Sequence, residues 1–136
     1  MKRRYPGESL QLVEMLCTDK IEFGGNITSM NTREQIHALS EEMLENLGKL
    51  VAVDSQLGTP SEGKPFGEGP AEALEIGLEI ARELGFKSRN LDNYCGYAEM
   101  GEGEEIVGIA GHLDIVPVGG DWTYDPFKLT RDGDHV

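Results

Sequence analysis

The apolar run at residues 105–111, Glu-Ile-Val-Gly-Ile-Ala-Gly, constrains the fold of this chain more than any other feature of its sequence. Its length suits a strand, and it lacks the alternation of apolar and polar residues that marks a half-exposed strand. Strands of this kind are buried on both faces, in a sheet that carries helices on either side. The run therefore predicts an α/β fold.

Two amphipathic segments before this run are candidate helices. Asn31, with Glu34 three residues later, has the pattern of a capping box, and apolar residues then recur at three- and four-residue steps as far as Val51. Pro70 suits the first turn of a second helix, which Gly85 would end. Short strands are predicted at residues 86–91, 94–100 and 127–130. The expected architecture is a mixed sheet flanked by helices.

The first thirty residues differ from the rest of the chain in charge. They hold four basic and four acidic residues, whereas the whole chain has 12 Lys and Arg against 25 Asp and Glu, a net charge of −13. Residues 31–136 therefore hold the entire acidic excess. We predict an atypical, flexible extension over residues 1–30, followed by a folded region over residues 31–136.

The charge and the cysteines limit the partners and the compartment. A strongly negative field repels phosphate backbones and anionic lipids, so neither nucleic acid nor a membrane surface is an expected partner. No apolar run in the sequence is long enough to span a bilayer. Cys17 and Cys95 belong to no Cys-x-x-Cys pair, which is typical of free thiols in a reducing compartment. We therefore expect a cytoplasmic protein.

The apolar run ends in His112-Leu113-Asp114. Residues two apart on an extended chain face the same side, so His112 and Asp114 would lie next to each other. A carboxylate that accepts a hydrogen bond from one imidazole nitrogen leaves the other nitrogen free to bind a metal ion. A bare His-x-Asp also occurs by chance and then merely ends a strand. The three residues alone leave both interpretations open.

The longer context of this tripeptide resembles a known family. Residues 111–127, GHLDIVPVGGDWTYDPF, are similar to the metal-binding segment of the dizinc amidohydrolases that include aminoacylases, carboxypeptidases and dipeptidases. Residues 65–86 and 90–103 are similar to the dipeptidase branch, whose members act on short peptides with an unblocked amino end. The resemblance begins near Thr32 and continues to the last residue.

The resemblance implies a function and roles for two residues. His112 would ligate one of two zinc ions, and Asp114 would be the catalytic carboxylate that orients it. The fold would be the N-terminal part of a zinc-peptidase catalytic domain, and the complete enzyme would hydrolyse the amide bond of a dipeptide. The family's bridging Asp, its Glu pair and its other metal ligands have no match here. We therefore expect an N-terminal fragment that carries at most one zinc ligand and is inactive alone.

Two alternatives to the dipeptidase remain open. One is an N-acyl-amino-acid deacylase of the same family, and the other is a non-catalytic remnant that acts as an interaction module. The substrate-binding residues are unassigned, although Trp122 and Phe127 would suit either a pocket wall or core packing. Because a strand as apolar as residues 105–111 needs neighbours, we also expect self-association through exposed sheet edges.

Overall fold

The computed structural model describes residues 31–136, and the predicted extension over residues 1–30 lies outside the described residues. The chain divides into two compact units. The described part of the first unit is residues 31–43, and the second unit is residues 44–136. None of the helices within residues 31–136 has the length and apolar character that crossing a bilayer requires.

The first helix, α1, covers Thr32–Ala38 and begins with the predicted capping box. The Glu34 N–H donates to the Asn31 side chain at 3.0 Å, and the Asn31 N–H donates to the Glu34 carboxylate at 3.2 Å. These two bonds satisfy backbone donors that have no partner inside a helix. The predicted cap is therefore confirmed.

The second helix, α2, covers Ser40–Val51, so the single helix predicted for this region is interrupted at one residue. The Leu39 N–H donates to the Ile36 carbonyl at 3.1 Å. This hydrogen bond joins residues three apart, as in a 3₁₀ turn, whereas an α-helix joins residues four apart. The Met43 N–H then donates to the Leu39 carbonyl at 2.9 Å, so the helical ladder resumes at once. The apolar periodicity predicted the extent of the helical region and missed this local tightening.

The third helix, α3, covers Glu68–Glu83 and holds most of the buried core. Ala73 and Leu78 are 1% and 5% exposed. The helix begins two residues before Pro70, which still lies in the first turn, where the missing proline N–H costs no hydrogen bond. The predicted second helix is thus confirmed, with an earlier start.

An antiparallel hairpin follows α3 and packs against it. Strand β1 covers Lys87–Leu91 and strand β2 covers Cys95–Glu99, which confirms the two short strands predicted here. The turn between them places Asp92 and Asn93 at positive φ angles of 53° and 58°, a conformation that Asp and Asn tolerate better than most residues. The local sequence is therefore sufficient to explain the hairpin.

Gly96 on β2 lets the hairpin approach α3 closely. A Cβ atom at Gly96 would lie 3.0 Å from methyl groups of both Leu74 and Leu78. The Ser88 hydroxyl on β1 also donates to the Leu78 carbonyl of α3 at 3.1 Å. Helix α3 and the hairpin thus pack against each other as two layers. The prediction that the fold contains both helices and strands is confirmed.

The strand predicted at residues 105–111 is absent from the structure. The segment belongs to no strand, and Ile106 and Ile109 are 91% and 98% exposed. The strand predicted at residues 127–130 is also absent. A strand forms only where a neighbour accepts its backbone hydrogen bonds, and no segment within residues 31–136 pairs with either one. The sheet described here is a two-stranded antiparallel hairpin, so the prediction of a mixed sheet was wrong for these residues.

An ion pair on α3 gives a testable pH dependence. The Arg82 guanidinium donates a hydrogen bond to the Glu75 carboxylate at 2.5 Å. This bond lowers the pKa of the Glu75 carboxyl below its usual value, and a hydrogen bond with the Asn90 side chain lowers the pKa further. Partial burial of the carboxyl acts in the opposite direction and raises its pKa. The pKa of Glu75 is lower in the folded chain than in the unfolded chain. The ion pair therefore stabilises the fold at pH values above the unfolded-state pKa, and this stabilisation is lost as the pH falls through the folded-state pKa. Both side chains are about half exposed, so the pair contributes less than about 1 kcal/mol.

We therefore expect Glu75→Gln to lower the free energy of unfolding slightly at neutral pH and to have no effect in acid. Urea unfolding at the two pH values measures this difference. Glu79→Gln, an exposed position on the same helix, is the matched control. A Glu75→Gln deficit that stays the same in acid would contradict the assignment to this ion pair.

Candidate functional site

A contact between two distant loops positions the segment that carries His112 and Asp114. The Ser55 hydroxyl donates to the Leu113 carbonyl at 2.8 Å, and the Ile115 N–H approaches the Ser55 carbonyl at 3.4 Å. Gln56 and Ile115 form an isolated parallel bridge at the same place. Ser55 is 2% exposed, so these bonds are shielded from water. Sequence reasoning missed Ser55, because nothing local to residue 55 signals a partner 58 residues away.

The structure brings the two predicted site residues together. His112 Nδ1 lies 2.9 Å from the main-chain carbonyl oxygen of Asp114 and 3.4 Å from its carboxylate Oδ1. The nearer acceptor is thus the main chain, whereas the sequence predicted the carboxylate. A proton on Nδ1 that faces either oxygen leaves Nε2 with its lone pair available. The His112 side chain is 82% exposed, so a ligand has room to reach Nε2.

A cavity of about 460 Å³ opens beside this pair. Its wall is mostly apolar and comes from the loop before α3, the start of α3, the hairpin and the segment around His112. The Phe66 and Tyr94 rings meet edge to face, with centroids 5.6 Å apart. The lining residues are Leu57, Phe66, Pro70, Leu74, Asn93, Tyr94, Cys95, Gly96, Gly111, His112, Leu113 and Asp114.

A hydrogen bond from the hairpin turn holds the cavity wall in place. The Asn93 side-chain amide donates to the Gly63 carbonyl at 2.8 Å, which ties the turn to the glycine-rich loop before α3. The Asn90 side chain accepts the Asn93 N–H at 2.8 Å and supports the same turn. Trp122 and Phe127, for which the sequence left a pocket wall and core packing open, are absent from this lining.

The described residues do not make up a complete metal centre. Within residues 31–136, no group of three or more His, Cys, Asp or Glu side chains is arranged to hold a metal ion. A catalytic zinc ion takes three protein ligands. The arrangement at His112 therefore fits one ligand with its orienting partner, and no more than that.

The chain is similar to curated dipeptidases. It is 39% identical over 105 residues to the Beta-Ala-Xaa dipeptidase of Lactobacillus delbrueckii subsp. lactis, a match that covers 76% of this chain and 22% of that protein. Matches of 37% and 34% identity link it to proteins named putative dipeptidases from Bacillus subtilis and Staphylococcus aureus, covering 73% and 71% of this chain and 22% and 21% of those proteins. No family model matches the chain.

These matches cover most of the chain and little of each relative. The chain spans about a fifth of the length of the curated dipeptidases that it matches. Identities of 34–39% over about a hundred residues nevertheless agree with the branch that the motif segments indicated. The chain is therefore related to dipeptidase enzymes over a fragment-sized region, and the resemblance predicted from its sequence is confirmed.

Proposed function

We propose that this chain contributes to a zinc-dependent dipeptidase, which hydrolyses the amide bond of a short peptide. The observation that carries the proposal is the paired geometry of His112 and Asp114 in a chain that is similar to dipeptidases. His112 Nε2 would be a metal ligand, since Nδ1 already faces Asp114. The apolar cavity beside it would receive part of the substrate.

Each residue has a distinct task in this proposal. Asp114 positions the imidazole through its main-chain carbonyl and its carboxylate, and so selects the tautomer with a proton on Nδ1. Ser55 positions the segment itself, because its hydroxyl holds the Leu113 carbonyl between the two site residues. The task of the described residues is therefore to hold one ligand in a fixed orientation. We expect the 136-residue chain alone to bind zinc weakly and to cleave no dipeptide.

The deacylase and the interaction module are the competing functions. The matched proteins are named as dipeptidases, which favours the dipeptidase over the deacylase. The position of His112 beside Asp114, with both residues lining a cavity, favours a catalytic role over a purely structural one, because substrate sites are concave.

A substrate panel on the complete enzyme that carries this chain, purified from its natural source, tests the proposal. We expect cleavage of dipeptides with a free amino end, loss of cleavage when that end is acylated, and loss of activity after dialysis against a chelator, with recovery on adding Zn²⁺. A preference for the acylated substrates would establish the deacylase instead. A folded protein that cleaves neither class with Zn²⁺ present would establish the non-catalytic alternative.

A further inference from the structure

Ser55 holds both of the peptide groups that flank Asp114. Its hydroxyl donates to the Leu113 carbonyl at 2.8 Å, and this carbonyl belongs to the peptide group before Asp114. Its own carbonyl accepts the Ile115 N–H at 3.4 Å, and this N–H belongs to the peptide group after Asp114. A residue has only two soft backbone dihedral angles, and they set the orientations of these two groups. Ser55 alone therefore fixes the main-chain conformation of Asp114.

The peptide group after Asp114 also contacts the imidazole of His112. The Ile115 N–H and the Asp114 carbonyl are parts of this one planar group, and in a trans peptide they point in opposite directions. No peptide bond within residues 31–136 is cis. Because the N–H faces the Ser55 carbonyl, the Asp114 oxygen faces away from Ser55, and it lies 2.9 Å from His112 Nδ1. A chain of hydrogen-bonding groups thus leads from Ser55 through one peptide group to the ring.

Ser55 is the buried member of this arrangement. It is 2% exposed, whereas the side chains of His112 and Asp114 are 82% and 65% exposed. The Ser55 N–H donates to the Val53 carbonyl at 2.9 Å, so all three polar groups of Ser55 have partners. A hydrogen bond that is shielded from water is electrostatically stronger than an exposed one. Ser55 can therefore impose an orientation on a ring that is itself surrounded by solvent.

We propose that Ser55 is a positioning residue of the site, which acts on His112 through the peptide group between Asp114 and Ile115. By aiming the Asp114 carbonyl at Nδ1, Ser55 favours the neutral tautomer with its proton on Nδ1, which leaves the Nε2 lone pair to a ligand. That this ligand is a metal ion rests on the proposed function. The tautomer depends only on hydrogen bonds among the described residues.

NMR of the histidine ring nitrogens in the full 136-residue chain tests the proposal. At a pH where the rings are neutral, the spectra give the ratio of the Nδ1–H to the Nε2–H tautomer of each ring. We expect the ratio at His112 to exceed the ratio at His37, an exposed histidine of α1, by at least about threefold, an effect that one net hydrogen bond can produce. A smaller difference would overturn the proposal, since the His112 ring would then lack a fixed orientation.

Ser55→Ala tests the role of Ser55 directly. It removes the hydroxyl that holds the Leu113 carbonyl, and we expect the tautomer ratio at His112 to fall at least about threefold. Ser88→Ala is the matched control, because the Ser88 hydroxyl likewise donates to a leucine carbonyl, that of Leu78 at 3.1 Å. Ser88 lies on β1, outside the lining of the cavity, so its replacement should leave the ratio at His112 unchanged.

A wild-type ratio in Ser55→Ala would overturn the proposal, and so would a comparable loss in Ser88→Ala. If Ser55→Ala does not fold, Ser55→Cys takes its place under the same criteria, because a thiol occupies the same position and is a much weaker donor than a hydroxyl.

Metal binding connects the tautomer to the proposed function. In the complete enzyme that carries this chain, Ser55→Ala should raise the dissociation constant for Zn²⁺ by about ten- to a hundredfold, as is typical when the support of a metal ligand is lost. An unchanged constant in an enzyme that binds zinc would overturn the proposal. A complete enzyme that binds no zinc, with the tautomer ratios as expected, would instead refute the proposed function and leave the action of Ser55 on the ring intact.

Discussion

Gly69→Ala is expected to lower the free energy of unfolding by about 3 kcal/mol or more, at the upper end of what overpacking costs. A Cβ atom at position 69 would overlap the Asp54 carbonyl oxygen and would lie 3.2 Å from the Ser55 Cα. Both neighbours are backbone, so a side-chain rotation cannot relieve the overlap. Because Ser55 also bonds the Leu113 carbonyl, the displacement would reach the segment that carries His112.

Chemical denaturation of the wild-type chain and the variant measures this effect. Gly108→Ala is the matched control, because its Cβ would meet no atom within 4 Å and its φ angle is not in the left-handed region. We expect the control to be as stable as the wild-type chain. If Gly69→Ala were equally stable, the close approach of the start of α3 to Asp54 would be wrong.

His112→Ala is expected to reduce dipeptidase activity by more than about a hundredfold, beyond the 10- to 100-fold typical of residues that only orient a metal ligand. The experiment uses a graft in which residues 32–136 replace the homologous segment of the Lactobacillus dipeptidase. Asp114→Ala should lie within the 10- to 100-fold range, because it removes the carboxylate and leaves the nearer main-chain acceptor in place. Metal content measured on the purified grafts should fall with His112→Ala.

The control for this series is His37→Ala. His37 is an exposed histidine of α1, outside the lining of the cavity. Its replacement should change neither the activity nor the metal content of the graft. A folded His112→Ala graft with full activity and full metal content would refute the assignment of His112 as a ligand. An Asp114→Ala loss as large as that of His112→Ala would mean that Asp114 does more than position the ring.

Features that depend on residues close in sequence were predicted well. The Asn31–Glu34 cap, the extent of α3 and the hairpin all depend on neighbours a few positions away. The proximity of His112 and Asp114 belongs to the same group, because a spacing of two residues brings the side chains to one side wherever the chain is extended.

Features that depend on distant partners were predicted poorly. The run at residues 105–111 has the composition of a buried strand, yet it lies exposed, since composition cannot supply the neighbouring strand that burial requires. The cavity was missed for the same reason, because Phe66, Tyr94 and His112 meet only after the chain has folded.

From the sequence alone follow the helices, the hairpin, the proximity of His112 and Asp114, and the relation to dipeptidases. The tertiary structure decided that the Ser55 hydroxyl donates to the Leu113 carbonyl and that a cavity opens beside His112 and Asp114. It also decided that His112 Nδ1 lies nearer to the main-chain oxygen of Asp114 than to the Asp114 carboxylate. The physical reason is that local propensity acts over a few residues, whereas the position of a hydrogen bond across 58 residues depends on the packing of the whole unit.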